Sequence, residues 1–343
     1  MKAAVVEKPG VLVARDVPDP VIGDYQCLCR MLYGATCTGT DQHIIGGRFP
    51  FGITYPTILG HESVGRVVEV GRKVRHFKVG DIVTRVGAMP SADGSLQSNW
   101  GGFAELGVAV DHRAMREDGR PEPEWRPWRI HQTVPAGIDL RAATMIITWR
   151  ETLSTITRMG VGQGAAVLVI GSGGNGLSFV AHAANLGAAP VVMIGSAARS
   201  DLGRAAGADA CFDYRADDLK EQIAEAFPEG FDFLIDAVGK VGQANRVLAL
   251  LRPGGTVAVY GVDDLDDVGL NPWKSSGTFT VYNGGYDEAE AHDRVIAFAG
   301  QGRLKAGVWL DLDVAFPLVE IGAAFEAVRE RRAVKVLVRL NTD

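Results

Sequence analysis

The sequence is poor in the features that mark secreted, membrane-embedded or nucleic-acid-binding proteins. Its four cysteines, Cys27, Cys29, Cys37 and Cys211, are too few and too unevenly spaced for a disulfide framework. No apolar run reaches the roughly 20 residues of a membrane span, so no membrane contact is expected. Basic residues are not in excess. The formal net charge is -6 and no Lys/Arg block stands out, which argues against a nucleic-acid partner. Internal repeats and low-complexity segments are lacking too. The start, Met1-Lys2-Ala3-Ala4-Val5-Val6-Glu7-Lys8-Pro9-Gly10, meets acidic residues and proline too early for a signal peptide. It reads as a first β-strand, and a cytoplasmic protein is expected. What is present is ordinary globular composition, 47% hydrophobic and 22% charged. At 343 residues the chain exceeds one hydrophobic core and predicts two domains.

The chain is organised around Gly60-His61-Glu62-Ser63-Val64-Gly65-Arg66-Val67-Val68-Glu69-Val70-Gly71. Imidazole and carboxylate are both good Zn²⁺ donors. Gly60 lets backbone approach an ion, and the alternating valines read as a strand. Up to about Gly107 the sequence shows short β-like runs, clearest at 11–14, 26–31, 63–70 and 81–86, with little helical periodicity. Cys27 and Cys29 fall on one face of such a strand, as small core residues or as a metal pair. The stretch from Asp111 to Gln132 reads as a long polar loop with five arginines, three prolines, Trp125 and Trp128. It is a substrate lid, an intersubunit contact, or a tryptophan pair packing the loop onto its own domain. From Asp139 to Met159 a helix is expected, capped by Asp139 and ended by Gly160. Thr148, Glu151, Thr152 and Thr155 share one face of it. Glu151 among apolar neighbours is either a partnered buried carboxylate or part of an exposed stripe.

The second half alternates strand and helix, which predicts a doubly wound parallel sheet. Ala165–Ile170 is a buried strand. It leads into Gly171-Ser172-Gly173-Gly174-Asn175-Gly176 and then a helix over 177–186. Strand, glycine turn and helix together form a dinucleotide fingerprint, with Gly171, Gly173, Gly174, Asn175 and Gly176 letting the pyrophosphate reach backbone N–H groups. The strand over 191–194 ends in Gly195-Ser196 instead of an acidic residue, with Arg199 close behind. Ser196 and Arg199 suit a 2′-phosphate, so NADP is preferred over NAD; Arg199 as a solvated helix residue is the alternative. Val238 and Gly261 lie at strand carboxyl ends, where an open sheet binds its ligand. Further strands are expected over 231–236 and 256–259, helices over 219–227 and 243–251, and a last helix and strand over 320–331 and 334–340.

The spacing of Gly60-His61-Glu62 with Gly65 and Gly71, together with Gly101-Gly102-Phe103-Ala104-Glu105, resembles the medium-chain zinc-dependent alcohol and polyol dehydrogenases, in the branch of sorbitol, glucose and threonine dehydrogenases. The resemblance implies an α/β protein with a GroES-like, mostly-β catalytic domain over 1–150. A Rossmann dinucleotide-binding domain over 151–285 and a return to the catalytic domain over 286–343 follow. It implies one catalytic zinc held by Cys37, His61, Glu62 and Glu151, the last aligning with a Glu-Pro-Leu-Ser segment of the family. Glu62 is either a ligand or a residue that moves in to become one. Thr40 would take the substrate proton and His43 relay it. Asn283, in a segment like one near the nicotinamide in glucose dehydrogenase-like members, would bond cofactor or substrate, or simply make a turn.

Two departures stand out. Residues 88–99, where many relatives carry a four-cysteine structural zinc lobe, hold no cysteine, so no structural zinc is expected. Most relatives have cysteine three residues before the aspartate; here Cys37-Thr38-Gly39-Thr40-Asp41 puts Thr38 there. A one-residue insertion would keep Cys37 as ligand, and Thr38 through water is the rival. The function implied is hydride transfer between an alcohol, polyol or sugar, or the corresponding carbonyl, and a nicotinamide cofactor, in a homodimer or homotetramer. A zinc-free quinone or enone reductase on the same fold is the alternative, and a non-catalytic binding protein a third reading.

Overall fold

The computed structural model describes residues 1–341. Its contacts divide the chain into two compact units. One gathers Met1–Ile147, His292–Gly300 and the chain from Trp309 on; the other comprises Thr148–Ala291 and Gln301–Val308.

The first unit holds two sheets. Lys2–Lys8 pairs antiparallel with Val11–Asp16 and with Thr57–Ile58, and Gln97–Ser98 completes four strands. The larger sheet runs Ala315–Pro317, Leu337–Arg339, Gln26–Ala35, Glu62–Val70, Ile82–Thr84, with Leu106–Val110 also paired to Gln26–Ala35. Alternation turns Cys27, Cys29, Met31 and Val67 into one core with Phe103, Ile321 and Phe325, so the two strand thiols are core residues. Register places the chemistry. Ala35 lies opposite both Glu62 and Leu337. Cys37, His61-Glu62 and Lys335 therefore leave their strands at the same end of the sheet.

In the second unit every strand pairing is parallel, in the order Ala210–Asp213, Val191–Gly195, Val167–Ile170, Phe231–Asp236, Leu251–Val259, Thr280–Tyr282. This is the doubly wound dinucleotide-binding order, in which the first strand sits centrally and its carboxyl end faces the ligand.

Several elements differ from the sequence expectation. The 111–132 stretch is not an open loop: it contains helices His112–Glu117 and Glu122–Trp125 and a 3₁₀ turn Arg126–Ile130. Trp125 and Trp128 pack against Val108, Val110 and Met115 of their own unit. Asp111 makes this possible, since its carboxylate caps the first helix at Ala114 N–H, 2.9 Å away, and also accepts from Arg75 and His76 N–H. The helix expected from Asp139 starts later, as a 3₁₀ turn Ala142–Met145 running into Ile146–Arg158. The helix at 243 ends at Val247 and becomes 3₁₀. A short helix Thr40–Ile45 appears where no helical periodicity was evident.

Candidate functional site

Cys37, His61 and Glu62 are buried, and their ligand atoms lie within 4.8 Å of one another. A tetrahedral zinc site needs sulfur-to-nitrogen separations of about 3.5 Å, so a small side-chain closure suffices. Thiol, imidazole and carboxylate form a zinc-type donor set, and the cluster fits the ion. Thr38 is exposed, while Cys37 is 6% exposed and belongs to the cluster.

Two residues that sequence reasoning passed over hold this cluster. Asp41, fully buried, bonds His61 Nδ1 at 3.1 Å through one carboxylate oxygen and accepts the Cys37 N–H at 2.8 Å through the other. With Nδ1 engaged there, the Nε2 side of the ring is toward Glu62 Oε1, 3.7 Å away. A carboxylate behind a ligating histidine fixes its tautomer and raises its basicity. Burial alone would push the His61 pKa down, but the Asp41 carboxylate and then the Cys37 thiol outweigh it and raise the pKa well above the usual value. Lys335 donates from Nζ to both Glu62 oxygens at 2.6 Å and to the Thr36 carbonyl at 3.3 Å. Its burial would lower its pKa, yet the Glu62 charge prevails and raises it. Glu62 is thus shared between the donor cluster and a buried ammonium.

Backbone packing makes the His61 turn rigid. Gly60 has φ +100°, and a Cβ there would meet the Phe103 ring and N–H at 2.6–2.7 Å. Phe103 N–H and Gly102 N–H bond back to Leu59 and Gly60, which is why the Gly101–Glu105 segment accompanies the Gly-His-Glu motif. Thr40 opens the short helix and is half-buried. His43, one turn on, is buried with Nδ1 2.8 Å from the Gly39 carbonyl.

The remaining expected residues lie in the second unit. Glu151 is half-buried on the Ile146–Arg158 helix, its Oε2 3.4 Å from the Tyr260 hydroxyl. After the Val167–Ile170 strand, Gly171 turns with φ +120°. A Cβ on Gly176 would run into the Gly171 carbonyl, whereas one on Gly173 would meet nothing within 4 Å. Gly176 is therefore glycine for helix–turn packing, and Gly173 borders open space at the start of the Gly174–Asn185 helix. That is the cradle a pyrophosphate requires. Asn175 is half-buried in its first turn. Ser196 N–H bonds Ser172 Oγ at 3.1 Å, and Arg199 Nη1 reaches over the turn to the Ser172 carbonyl at 3.0 Å. Val238 sits on a turn held by Asp236, whose Oδ1 accepts from Val238 and Gly239 N–H, both at 2.9 Å. Burial pushes this carboxyl up. Gly261 packs against that same turn, where a Cβ would strike Val238. Asn283 is exposed just beyond the Thr280–Tyr282 edge strand.

Family comparison agrees with this layout. Residues 23–117 match the model of the alcohol dehydrogenase GroES-like domain, and residues 174–286 that of zinc-binding dehydrogenases. An L-threonine 3-dehydrogenase from Streptomyces coelicolor is 31% identical, covering 76% of this chain and 77% of its own. A sorbitol dehydrogenase from Halalkalibacterium halodurans is 26% identical over 98% and 99% of the two chains. A structure from Sinorhizobium meliloti 1021, solved bound to NADP, shares the fold with a TM-score of 0.78 at 24% identity, over 98% of each chain. Fold, donor cluster, glycine turn and sequence likeness all lead to one conclusion: the chain belongs to the zinc-dependent medium-chain dehydrogenase family and is an oxidoreductase.

Proposed function

We propose that this protein moves a hydride between the hydroxyl-bearing carbon of a small alcohol, polyol or sugar and a nicotinamide dinucleotide, with NADP preferred and one catalytic zinc per chain. The observation that carries the reading is the buried convergence of Cys37, His61 and Glu62. Zinc bound there would supply Lewis acidity, stabilising the alkoxide form of the substrate hydroxyl. The chain's own residues do the rest. Asp41 orients His61, and Lys335 holds both Glu62 oxygens in place. Thr40 accepts the hydroxyl proton and His43 passes it toward water. In the second unit the N–H groups of the glycine turn take the pyrophosphate, and Ser196 and Arg199 take the 2′-phosphate. Glu151 enters the proposal as a further ligand only through its alignment with the family's Glu-Pro-Leu-Ser segment. A zinc-free reductase would leave the buried donor cluster without a purpose. The absence of cysteine in 88–99 supports a single zinc. The exposed Trp273 (95%) and the edge-strand residue Val281 (54%) support a homo-oligomer; a cytoplasmic location completes the proposal.

Metal analysis and a screen of alcohols, polyols and sugars for cofactor reduction test it. About one zinc per chain is expected, with activity lost on chelation and restored by zinc. An NADP advantage of about tenfold in kcat/KM corresponds to one charge-assisted bond to the 2′-phosphate. A protein that neither retains zinc nor oxidises any of these substrates refutes the reading.

A further inference from the structure

The cluster is flanked by an aromatic strip that neither zinc nor cofactor binding requires. The Trp100 ring lies 5.4 Å from the His61 ring, tilted by 54°. Phe49 meets Trp100 edge-on at 6.4 Å, and Phe51 meets Phe49 edge-on at 5.4 Å. His61 is 5% exposed, Trp100 39% and Phe51 72%, while Phe49 between the last two is half-buried and packs on the core of its own unit.

Trp100 is placed there at a conformational cost. Its φ is +66°, and Arg85, whose guanidinium lies 5.5 Å over the indole, has φ +61°. Bulky side chains rarely adopt this region, and such conformations persist where the surroundings impose them, commonly at ligand sites. The surroundings are visible on both sides. Asn99 N–H bonds the Ile58 carbonyl at 3.0 Å and Gly102 N–H bonds Gly60 at 2.7 Å, stitching the tryptophan segment to the residues just before His61. Ala88 N–H bonds the Gly101 carbonyl at 2.9 Å, and a Cβ on Gly87 would run into the Trp100 carbonyl. Arg85 is only 8% exposed, so it buttresses the indole and does not present its charge to solvent.

We infer that Trp100, continued by Phe49 and Phe51, is the substrate-selecting wall beside the metal cluster, and that it favours alcohols whose carbinol carbon carries an aromatic ring over polyhydroxylated chains. The inference rests on the dehydrogenase reading and narrows its substrate class. An exposed indole and two phenyl rings give an arene favourable edge and face contacts. Apart from the indole N–H they offer a polyol no hydrogen-bond partners, leaving its hydroxyls to be desolvated without compensation.

Benzyl alcohol and sorbitol are compared as substrates of the zinc-loaded enzyme, and para-nitrobenzyl alcohol is titrated against metal-free protein as a quencher of tryptophan fluorescence. The expected result is a higher kcat/KM for benzyl alcohol. Trp100→Ala should lower it about tenfold, and the ratio of benzyl alcohol to ethanol kcat/KM should fall with it. Trp100→Phe should keep benzyl alcohol turnover within about threefold, yet lose the quenching component that saturates. Sorbitol preferred over benzyl alcohol, or quenching unchanged in Trp100→Phe, overturns the inference and leaves the dehydrogenase reading standing. If Trp100→Ala fails to fold, the Trp100→Phe arms decide. If no alcohol is oxidised, the dehydrogenase reading falls, and the quenching arm alone decides whether the wall binds arenes.

Discussion

Replacing Lys335 by methionine isolates the buried pair with Glu62. The side chains of Lys335 and Glu62 are 1% and 2% exposed, and the ammonium contacts both carboxylate oxygens at 2.6 Å. Methionine fills similar volume but leaves the carboxylate uncompensated, which costs about 3–5 kcal/mol in buried pairs. That is a large part of the roughly 5–15 kcal/mol that holds a domain together. The assay is chemical denaturation of metal-free protein, read at the transition of the unit that carries both residues. Glu62→Gln in the Lys335→Met background removes the stranded charge and should recover about 2 kcal/mol or more, giving a coupling energy by double-mutant cycle. Zinc should stabilise Lys335→Met more than wild type, because the freed carboxylate becomes a ligand and tighter binding adds stability by mass action. The Lys335 pKa is raised in the fold, so the pair's contribution is complete below the unfolded lysine pKa of about 10.4. It fades only as pH rises through the higher folded value, and the cycle should give the same coupling across neutral pH. A loss under about 1 kcal/mol in Lys335→Met, or no coupling, refutes this account of the pair.

Cys37→Ser should lose most of its zinc on dialysis while Thr38→Ala keeps it, since Thr38 faces solvent; metal analysis of both decides, and the reverse pattern makes Cys37 a mere core thiol. Arg199→Ala should raise KM for NADP about tenfold, the worth of one charge-assisted bond, and leave KM for NAD nearly unchanged in initial-rate assays. His43→Ala should lower kcat more at low pH than at high pH, where hydroxide replaces the relay; an unchanged pH profile removes His43 from the proton route. His112 has Nδ1 buried without a partner, and burial followed by the Arg113 charge pushes its pKa down to about 4. Between pH 6.5 and 4 the unfolded chain therefore binds the extra proton, and stability falls as pH drops through that window. The slope is at most about 1.4 kcal/mol per pH unit, less because the ring is partly exposed; thermal unfolding of His112→Asn should show a shallower slope, and equal slopes would refute the assignment.

How far the sequence was legible depended on how local the determining forces were. Phe231–Asp236 is the strand expected residue for residue, because a continuous apolar run between turn residues has few other solutions. The glycine turn was readable for the same reason, its strand and helix being adjacent in sequence. The 111–132 stretch misread as loop because proline and arginine dominate its composition. Its short helices are held by tertiary packing of Trp125 and Trp128 and by the pairs Arg120–Glu124 and Arg126–Glu122. At the site, His61 and Glu62 announced themselves by type and spacing, whereas the choice between Cys37 and Thr38 needed coordinates. Asp41 stood within the quoted segment but gave no sign that it would grip both His61 and Cys37. Lys335 carried one faint signal, a lysine between Val334 and Val336 in an otherwise apolar last strand.

The distance along the chain between Glu62 and Lys335, 273 residues, has a consequence for biosynthesis. At roughly 5–20 residues per second, about 14–55 s separate the emergence of the carboxylate from that of its cation. During that interval Cys37, His61 and Glu62 already exist on the nascent chain, and Lys335 is not yet there to pair with the carboxylate. A metal ion arriving then meets three donors, and one arriving after release must share Glu62 with Lys335. The order in which translation and metal delivery occur thereby sets which of two ligand environments the ion first encounters.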